Sequence, residues 1–231
     1  MELRQVFRQE RKFLLDAPRR LTLERRLAGV LQPDKHNGST GYLVRSLYFD
    51  TPDNQDFHDK LSGTECRRKL RLRVYSPHAD TVFLEMKQKQ GFGQLKRSLP
   101  LKRSDAAQLL QGNYAPLLGY STDFAAECYG LLHSCVYRPK VLVEYRRSAY
   151  VLPENSTRIT LDSALCATPF WDKFFDPSPG FAPILNPSET VLEVKFNHFL
   201  LSYAKNLLAD CERSETSVSK YVLARQQKLL F

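Results

Sequence analysis

Charged residues alternate with apolar ones along several short stretches of this chain, and this alternation constrains the fold more than any other feature of the sequence. Lys69, Arg71 and Arg73 are separated by single leucines, and Glu85 and Lys87 flank one methionine. Similar alternation occurs at Glu10 and Lys12, at Tyr145 and Arg147, at Arg158 and Asp162, and at Glu193 and Lys195. Successive side chains of a β-strand point to opposite faces of its sheet, so the pattern predicts strands with one charged and one apolar face.

The order of predicted elements indicates an α+β protein dominated by antiparallel strands. The predicted strands are 3–15, 42–50, 65–75, 81–90, 92–101, 137–151, 157–165 and 190–197. The predicted helices are 19–31, a short one from about 51 to 62, 104–134 with a break near 112–116, 199–210 and 217–230. Residues 166–189 are predicted to form a long ordered loop. A chain of 231 residues fits one domain, so we predict a single domain over residues 1–231.

Two arrangements account for the charged strand faces. On the outside of a β-sandwich they would be solvated, which is the ordinary arrangement for any single strand. Yet every Glu-x-Lys triplet of the chain, at 10–12, 85–87 and 193–195, lies in a predicted strand, and solvated faces need no such repetition. We therefore predict an eight-stranded antiparallel β-barrel with flanking helices on its apolar outside and charged residues around a tunnel.

The charge balance indicates a polyanionic ligand for such a tunnel. The formal net charge is +9, which suits phosphate chains, nucleic acid or acidic lipid. Cations confined in a partly dry interior repel one another unless carboxylates or an anionic ligand neutralise them. A threaded polyanion would supply the missing negative charge, and a divalent cation held on carboxylates would aid its binding.

The motifs along the strands resemble those of the triphosphate tunnel metalloenzymes, and within them the VTC-type polyphosphate polymerase domain of the CYTH-like superfamily. The matching segments run in order from residue 7 to residue 221. They are FRQERKF (7–13), SLYFDT (46–51), RKLRLR (68–73), FLEMK (83–87), RPKV (138–141), YRRSAY (145–150), VLEVK (191–195) and SKY (219–221). One departure is Arg8, which stands where the wider superfamily has the first carboxylate of Glu-x-Glu-x-Lys. This substitution resembles the polymerase branch.

The resemblance implies an ATP-dependent phosphotransferase that builds inorganic polyphosphate. It assigns the phosphate contacts to Lys12, Arg71, Arg73, Lys87, Arg147 and Lys220, with weaker candidates at Lys69, Lys96, Arg158 and Lys195. It makes Glu193 the principal ligand of Mn²⁺ or Mg²⁺. Glu10 and Glu85 could assist it, but pairing with Lys12 and Lys87 to hold the basic walls in place is the role that we favour for these two carboxylates. A terminal phosphate oxygen attacking the γ-phosphate of ATP is already an oxyanion, so the chemistry requires positioning and charge neutralisation rather than a dedicated base.

Two other functions remain open at this stage. A triphosphate or tripolyphosphate hydrolase of the same superfamily would activate water, which normally needs more carboxylates than the Arg8 substitution leaves. A module that binds polyphosphate or nucleic acid without catalysis would also suit the positive charge. Nucleic acid is disfavoured because aromatic residues do not alternate with the basic residues as stacking platforms would.

The sequence also predicts a cytoplasmic protein. The first residues carry charges where a signal peptide needs an apolar run, and no window reaches the roughly 18 apolar residues of a membrane helix. We therefore predict no direct membrane insertion, and any attachment to a membrane would need a membrane-protein partner.

Overall fold

The computed structural model of the protein describes residues 8–91 and 93–227. Its strands are β1 (Arg8–Leu15), β2 (Gln32–Pro33), β3 (Tyr42–Asp50), β4 (Arg67–Val74), β5 (Thr81–Gln90), β6 (Gly93–Lys102), β7 (Arg138–Leu152), β8 (Thr157–Thr168), β9 (Ala182–Pro183) and β10 (Thr190–Asn197). Its α-helices are α1 (Ala17–Val30), α2 (Gln55–Leu61), α3 (Arg103–Leu110), α4 (Asp123–Ser134), α5 (Ser202–Leu208) and α6 (Lys220–Gln226). The α+β class is confirmed, and the parts of the predicted elements at residues 3–7, 92 and 228–230 lie outside the described residues.

The ten strands form one antiparallel sheet with the order β1-β10-β8-β7-β3-β4-β5-β6. The eight strands of this path correspond to the eight predicted ones. Two-residue strands that the sequence pattern did not indicate are β2, which pairs with β7, and β9, which pairs with β8. β9 falls in the predicted loop 166–189, and β2 lies between the predicted helix 19–31 and the predicted strand 42–50. Two residues are too few to show an alternation.

The prediction of a closed barrel is wrong in one respect, since within the described residues β1 and β6 are the two ends of the sheet and do not pair. The free edge of β1 is instead occupied by the segment that precedes α6. Phe13 forms a bridge with Glu215, and the Thr216 amide donates to the carbonyl oxygen of Lys12 at 2.9 Å. A backbone edge that is already paired in this way cannot also pair with β6.

The apolar strand faces are covered by helices on the outside of the sheet. The β3–β6 half packs against α3, α4 and the short 3₁₀ helices, and the β1–β10–β8 half packs against α1 and α5. In α1, the Asp16 side chain caps the helix by accepting from the Arg19 amide at 2.9 Å, and Leu23 and Leu27 are buried one turn apart. The outer helices thus leave the charged strand faces on the other side of the sheet.

Helix α6 packs against the opposite, charged face of the sheet. Its Tyr221 and Ala224 join a buried apolar cluster with Val44, Tyr145 and other residues of β3, β7 and β8. Tyr221 also donates to the carboxylate of Asp50, which is fully buried at the end of β3 and accepts from the backbone amides of residues 51, 56 and 57. This anchor fixes the start of α6, and so Lys220, against the charged face.

None of the described helices has both the length and the apolar composition that crossing a membrane requires.

Candidate functional site

The charged strand faces come together on one side of the sheet, here called the inner face. The strand register places Lys12 beside Glu193, Glu10 beside Lys195, and Arg71 beside Glu85. The inner face is strongly curved, because Lys87 of β5 reaches Glu10 of β1 at 2.9 Å although these strands lie near opposite ends of the strand order. The sheet therefore brings cations from distant parts of the chain to one enclosed surface.

Glu193 lies at the centre of a group of four cations. Its carboxylate is 2.9 Å from Lys220, 3.0 Å from Lys195, 3.5 Å from Lys12 and 3.7 Å from Arg147. Burial opposes ionisation, but the surrounding positive charges hold the pKa of Glu193 well below its usual range. Glu193 is therefore an anion at neutral pH and neutralises part of this basic group.

Asp162 is a fully buried carboxylate next to this group, and sequence reasoning placed it on a strand face without assigning it to the site. Arg147 donates to both of its oxygens, at 2.6 and 2.7 Å, and Lys220 lies 2.6 Å away. Burial favours the neutral acid, yet the attraction of Arg147 and Lys220 lowers the pKa of Asp162. Asp162 thus positions two of the predicted phosphate-binding residues.

A second group surrounds Glu85 on β5. Lys96 lies 2.5 Å, Arg71 2.7 Å and Arg73 3.5 Å from its carboxylate. Despite burial, which acts in the other direction, these cations lower the pKa of Glu85 to about 2. Arg71 also donates to the hydroxyl of Tyr48 at 3.1 Å, so its guanidinium is held in place from two sides.

Glu10 shares two lysines with Glu193 and has a third lysine of its own. It lies 2.9 Å from Lys87, 3.2 Å from Lys12 and 3.9 Å from Lys195. Burial would raise the pKa of Glu10, but these lysines lower it to about 2. All three carboxylates predicted to hold a metal are therefore ionised and already paired with cations.

One end of the inner face opens into a cavity of about 470 Å³, here called the basic pocket. Its cationic lining consists of Lys12, Lys60, Arg67, Arg68, Lys69, Lys87 and Lys89, while the carboxylates of the lining are Glu10 and Glu215. Lys69 donates to the Ser219 hydroxyl at 2.8 Å, and burial together with the neighbouring lysines holds its pKa well below the usual range. The basic pocket carries positive charge that its own carboxylates do not balance.

The remaining predicted site residue, Arg158, lies apart from the basic pocket. It pairs with Asp34 at 2.8 Å and donates to the Tyr42 hydroxyl at 3.1 Å. Its strand neighbour across the sheet is Lys195, so it remains on the inner face. The structure thus brings the predicted cations onto one surface, and Lys12, Lys69 and Lys87 are the ones among them that line the basic pocket.

Aromatic rings contact several cations of the inner face. The Arg71 guanidinium lies 5.8 Å from the Tyr48 ring centre, and Lys220 and Arg147 lie 4.9 and 5.2 Å from that of Tyr145. Tyr48 is distant from Arg71 in sequence, as Tyr145 is from Lys220, and the fold brings each pair together. Alternation within β7 places Tyr145 and Arg147 on one face, whereas the other two pairs join different elements and could not be found from alternation.

The carboxylates of the inner face fit a divalent metal that takes few protein ligands. Among the described residues, no three acidic, histidine or cysteine side chains are grouped closely enough to hold a metal by themselves. Mg²⁺ and Mn²⁺ commonly take one or two carboxylates and complete their shells with phosphate oxygens and water. Glu193 and Glu10 lie close together, because both carboxylates contact Lys12 and Lys195, and they could therefore share one metal. Glu85 belongs to the separate group around Arg71.

Together, the fold and this surface define an α+β protein with a basic, partly buried inner face. The chain belongs to the VTC domain family, whose sequence model matches residues 7–228. This membership supports a function related to polyphosphate or triphosphate. A search of curated proteins gives no match.

Several solved structures are similar to this chain. A candidate adenylate cyclase from Bacillus halodurans has a TM-score of 0.51 at 16% identity, covering 91% of this chain and 92% of that one. The PH1819 protein of Pyrococcus horikoshii has a TM-score of 0.47 at 12% identity, covering 94% and 97%. The Mimivirus capping enzyme triphosphatase has a TM-score of 0.42 at 9% identity, covering 90% and 88%. Of these three, the first supports a shared fold, and the likeness at this identity concerns the fold alone.

Affinity for long-chain polyphosphate is expected to fall as the pH rises from 7 to 9. Burial lowers the pKa of Lys195 to about 8, so its ammonium is charged below this pH and neutral above it. A bound polyanion favours the charged form, and one charged hydrogen bond contributes about 1.5–3 kcal/mol. Because roughly a tenth of the Lys195 side chains are still charged one pH unit above a pKa of about 8, the affinity should fall by roughly five- to tenfold between pH 7 and pH 9. Titration calorimetry at several pH values measures this change, and Lys195→Gln should show a smaller decrease. An affinity that does not change with pH would show that the Lys195 ammonium does not contact polyphosphate.

Proposed function

We propose that this protein is a metal-dependent polyphosphate polymerase that transfers the γ-phosphate of ATP to the end of a growing polyphosphate chain. The observation that carries the proposal is the enclosed inner face, on which carboxylates are each shared by several cations and positive charge remains in excess. Such a surface is costly to bury unless an extended anion completes it. The proposal includes a tunnel, formed where the curved sheet and the segment before α6 surround the inner face.

The extent of the basic surface supports a polymeric substrate. It continues from Arg147 through Glu193 and Lys12 to the basic pocket, where Lys69 and Lys89 lie towards the ends of their strands. A single triphosphate would leave part of this surface without an anion. A longer phosphate chain would neutralise the central group and the basic pocket at the same time.

The acidity of the inner carboxylates favours phosphoryl transfer over hydrolysis. Glu10 and Glu85 have pKa values of about 2, and those of Glu193 and Asp162 are also lowered. General-base catalysis is most efficient when the pKa of the base is near the working pH, so these groups are poorly suited to deprotonating water. A terminal phosphate oxyanion needs no such base, because it can attack the γ-phosphorus directly.

The arginines and lysines of the inner face would have different roles because their charged groups differ in geometry. The forked guanidinium groups of Arg71, Arg73 and Arg147 can each engage two phosphate oxygens, which fixes the orientation of a phosphoryl group. Lys12, Lys87 and Lys220 would act as point charges beside them. Lys69, Lys96, Arg158 and Lys195 would contribute further along the chain of phosphates.

Glu193, assisted by Glu10, would hold Mn²⁺ or Mg²⁺ together with oxygens of the substrate, and Glu85 is the weakest of the three candidates. The metal would neutralise negative charge on the phosphates during transfer. Asp162 would keep Arg147 and Lys220 directed towards the reacting phosphates, because it binds both side chains.

Incubation with ATP and Mn²⁺ or Mg²⁺ tests the proposal. The expected products are ADP and long-chain polyphosphate in amounts that match, with little free phosphate. Formation of free phosphate without chains would assign the protein as a hydrolase. Tight polyphosphate binding without turnover would make it a binding module, and an absence of both would reject a phosphate function for the inner face.

A further inference from the structure

The end of the inner face away from the basic pocket carries a cluster of aromatic side chains. Tyr75 lies between Tyr42 and Phe83, with ring centres 5.9 and 6.0 Å apart, and both contacts are edge to face. His36 extends the cluster from Tyr42 at 6.5 Å. Tyr75 keeps 46% of its surface exposed although it has two aromatic neighbours, so the cluster is accessible from outside.

The strand register places these rings next to the arginines of the inner face. Phe83 pairs directly with Arg73, and Tyr42 pairs directly with Arg147. Tyr75 lies one residue past the end of β4, and its ring contact with Phe83, the strand partner of Arg73, places it on the same side. Tyr75 lies four positions beyond Arg71, which is about 13 Å along an extended strand.

The two ends of the inner face therefore differ in chemistry. The basic pocket is lined by seven cations and, among the described residues, by no aromatic ring. At the other end, aromatic rings and arginines occupy adjacent positions. A ligand with a flat ring at one end and phosphates at the other matches this order, whereas a bare phosphate chain would leave the rings without a role.

We propose that Tyr75, with Tyr42 and Phe83, forms a platform for the base of a nucleoside triphosphate, whose phosphates extend past Arg73 towards Arg71. This inference rests on the proposed function and gives the reaction a direction. The nucleotide enters at the aromatic end, and the polyphosphate chain occupies the end at the basic pocket. A terminal oxygen of that chain forms the new bond to the γ-phosphorus, the bond from the γ-phosphorus to the β,γ-bridging oxygen breaks, and ADP leaves with that electron pair on the aromatic side.

The test compares ATP with tripolyphosphate, which has the same phosphates but no base. Substitution of Tyr75→Ala should weaken ATP binding by about five- to thirtyfold, within the range for one base stacked on an aromatic side chain. Tripolyphosphate binding should stay unchanged, and Tyr75→Phe should retain the affinity for ATP because it keeps the ring. The matched control is Tyr203→Ala, which removes an aromatic ring that is 41% exposed on α5, outside the inner face.

The outcomes separate this inference from the function on which it rests. Equal affinities of wild type and Tyr75→Ala for ATP, or equal losses for ATP and tripolyphosphate, would overturn the base platform while leaving polyphosphate synthesis intact. A wild-type protein that binds neither ligand would instead reject the proposed function. Selective loss of ATP binding in Tyr75→Ala, with normal behaviour of Tyr203→Ala, supports the platform.

Discussion

The substitution Glu193→Gln is expected to reduce metal-dependent ADP release by about 10²–10³ or more, because it removes the negative charge that would hold the metal. Polyphosphate binding should survive or become tighter, since the inner face becomes more positive. The ligand-free variant should melt at a lower temperature because four cations lose a shared anion. Added polyphosphate should restore much of that loss by binding to the folded state.

The matched control is Glu127→Gln, which alters a carboxylate paired with Arg97 on the outside of the sheet. It should retain the turnover of the wild type. Retained polyphosphate binding would show that Glu193→Gln is folded, so that a loss of turnover would not reflect unfolding. Full metal-dependent activity in Glu193→Gln would refute the assignment of Glu193 to the metal.

The substitution Arg71→Ala is expected to impair binding and turnover together. Arg71 is fixed by Glu85 and Tyr48, so it presents an oriented pair of donors before any ligand arrives. Its loss should reduce the rate by about 10²–10³, the range for removal of one preorganised donor. ADP release and polyphosphate affinity, measured for the same preparation, test both parts.

Two further variants separate the geometry of Arg71 from its charge. Arg71→Lys keeps the charge but loses the planar fork, so it should recover binding better than turnover. Arg97→Ala, at an arginine paired with Glu127 outside the inner face, should have no effect on either. If Arg71→Ala binds and turns over like the wild type, Arg71 does not contact the phosphates.

Much of the inner face was predictable because one rule acts within each strand. Because side chains alternate along a strand, Arg71 and Arg73 must share one face, and Glu193 and Lys195 must likewise share one. The bounds of β3 and β10 agree with the predicted 42–50 and 190–197 for the same reason. Predictions of this kind need only the residues of one strand.

Features that depend on how strands and segments meet were not predictable in this way. Asp162 became part of the site only through its pairing with Arg147 across β7 and β8, a pair of strands whose register shifts between residues 144 and 146. The edge of β1 that does not pair with β10 is covered through a bridge between Phe13 and Glu215, which lie near opposite ends of the described chain. A sequence pattern within one strand or helix does not show contacts between residues that lie so far apart in the chain.

The position of α6 was also beyond local sequence reasoning. A helix near residues 217–230 was predicted, but its amphipathic pattern does not state which face of the sheet it covers. Its placement depends on the Tyr221 contact with Asp50, which joins residues 171 positions apart. From the sequence, only the family resemblance assigns Lys220 to the phosphate contacts.

The pairing of β1 with β10 and of Lys220 with Glu193 has a consequence for how the protein is made. At a synthesis rate of about 5–20 residues per second, Lys12 and Lys220 leave the ribosome roughly 10–40 s apart. For most of that interval β1 has neither of its backbone partners and Lys12 lacks Glu193, because β10 and residues 215–216 emerge shortly before Lys220. The nascent chain therefore exposes an unpaired strand and isolated lysines until the last part of the sheet emerges, which makes this stage the one most in need of protection from aggregation.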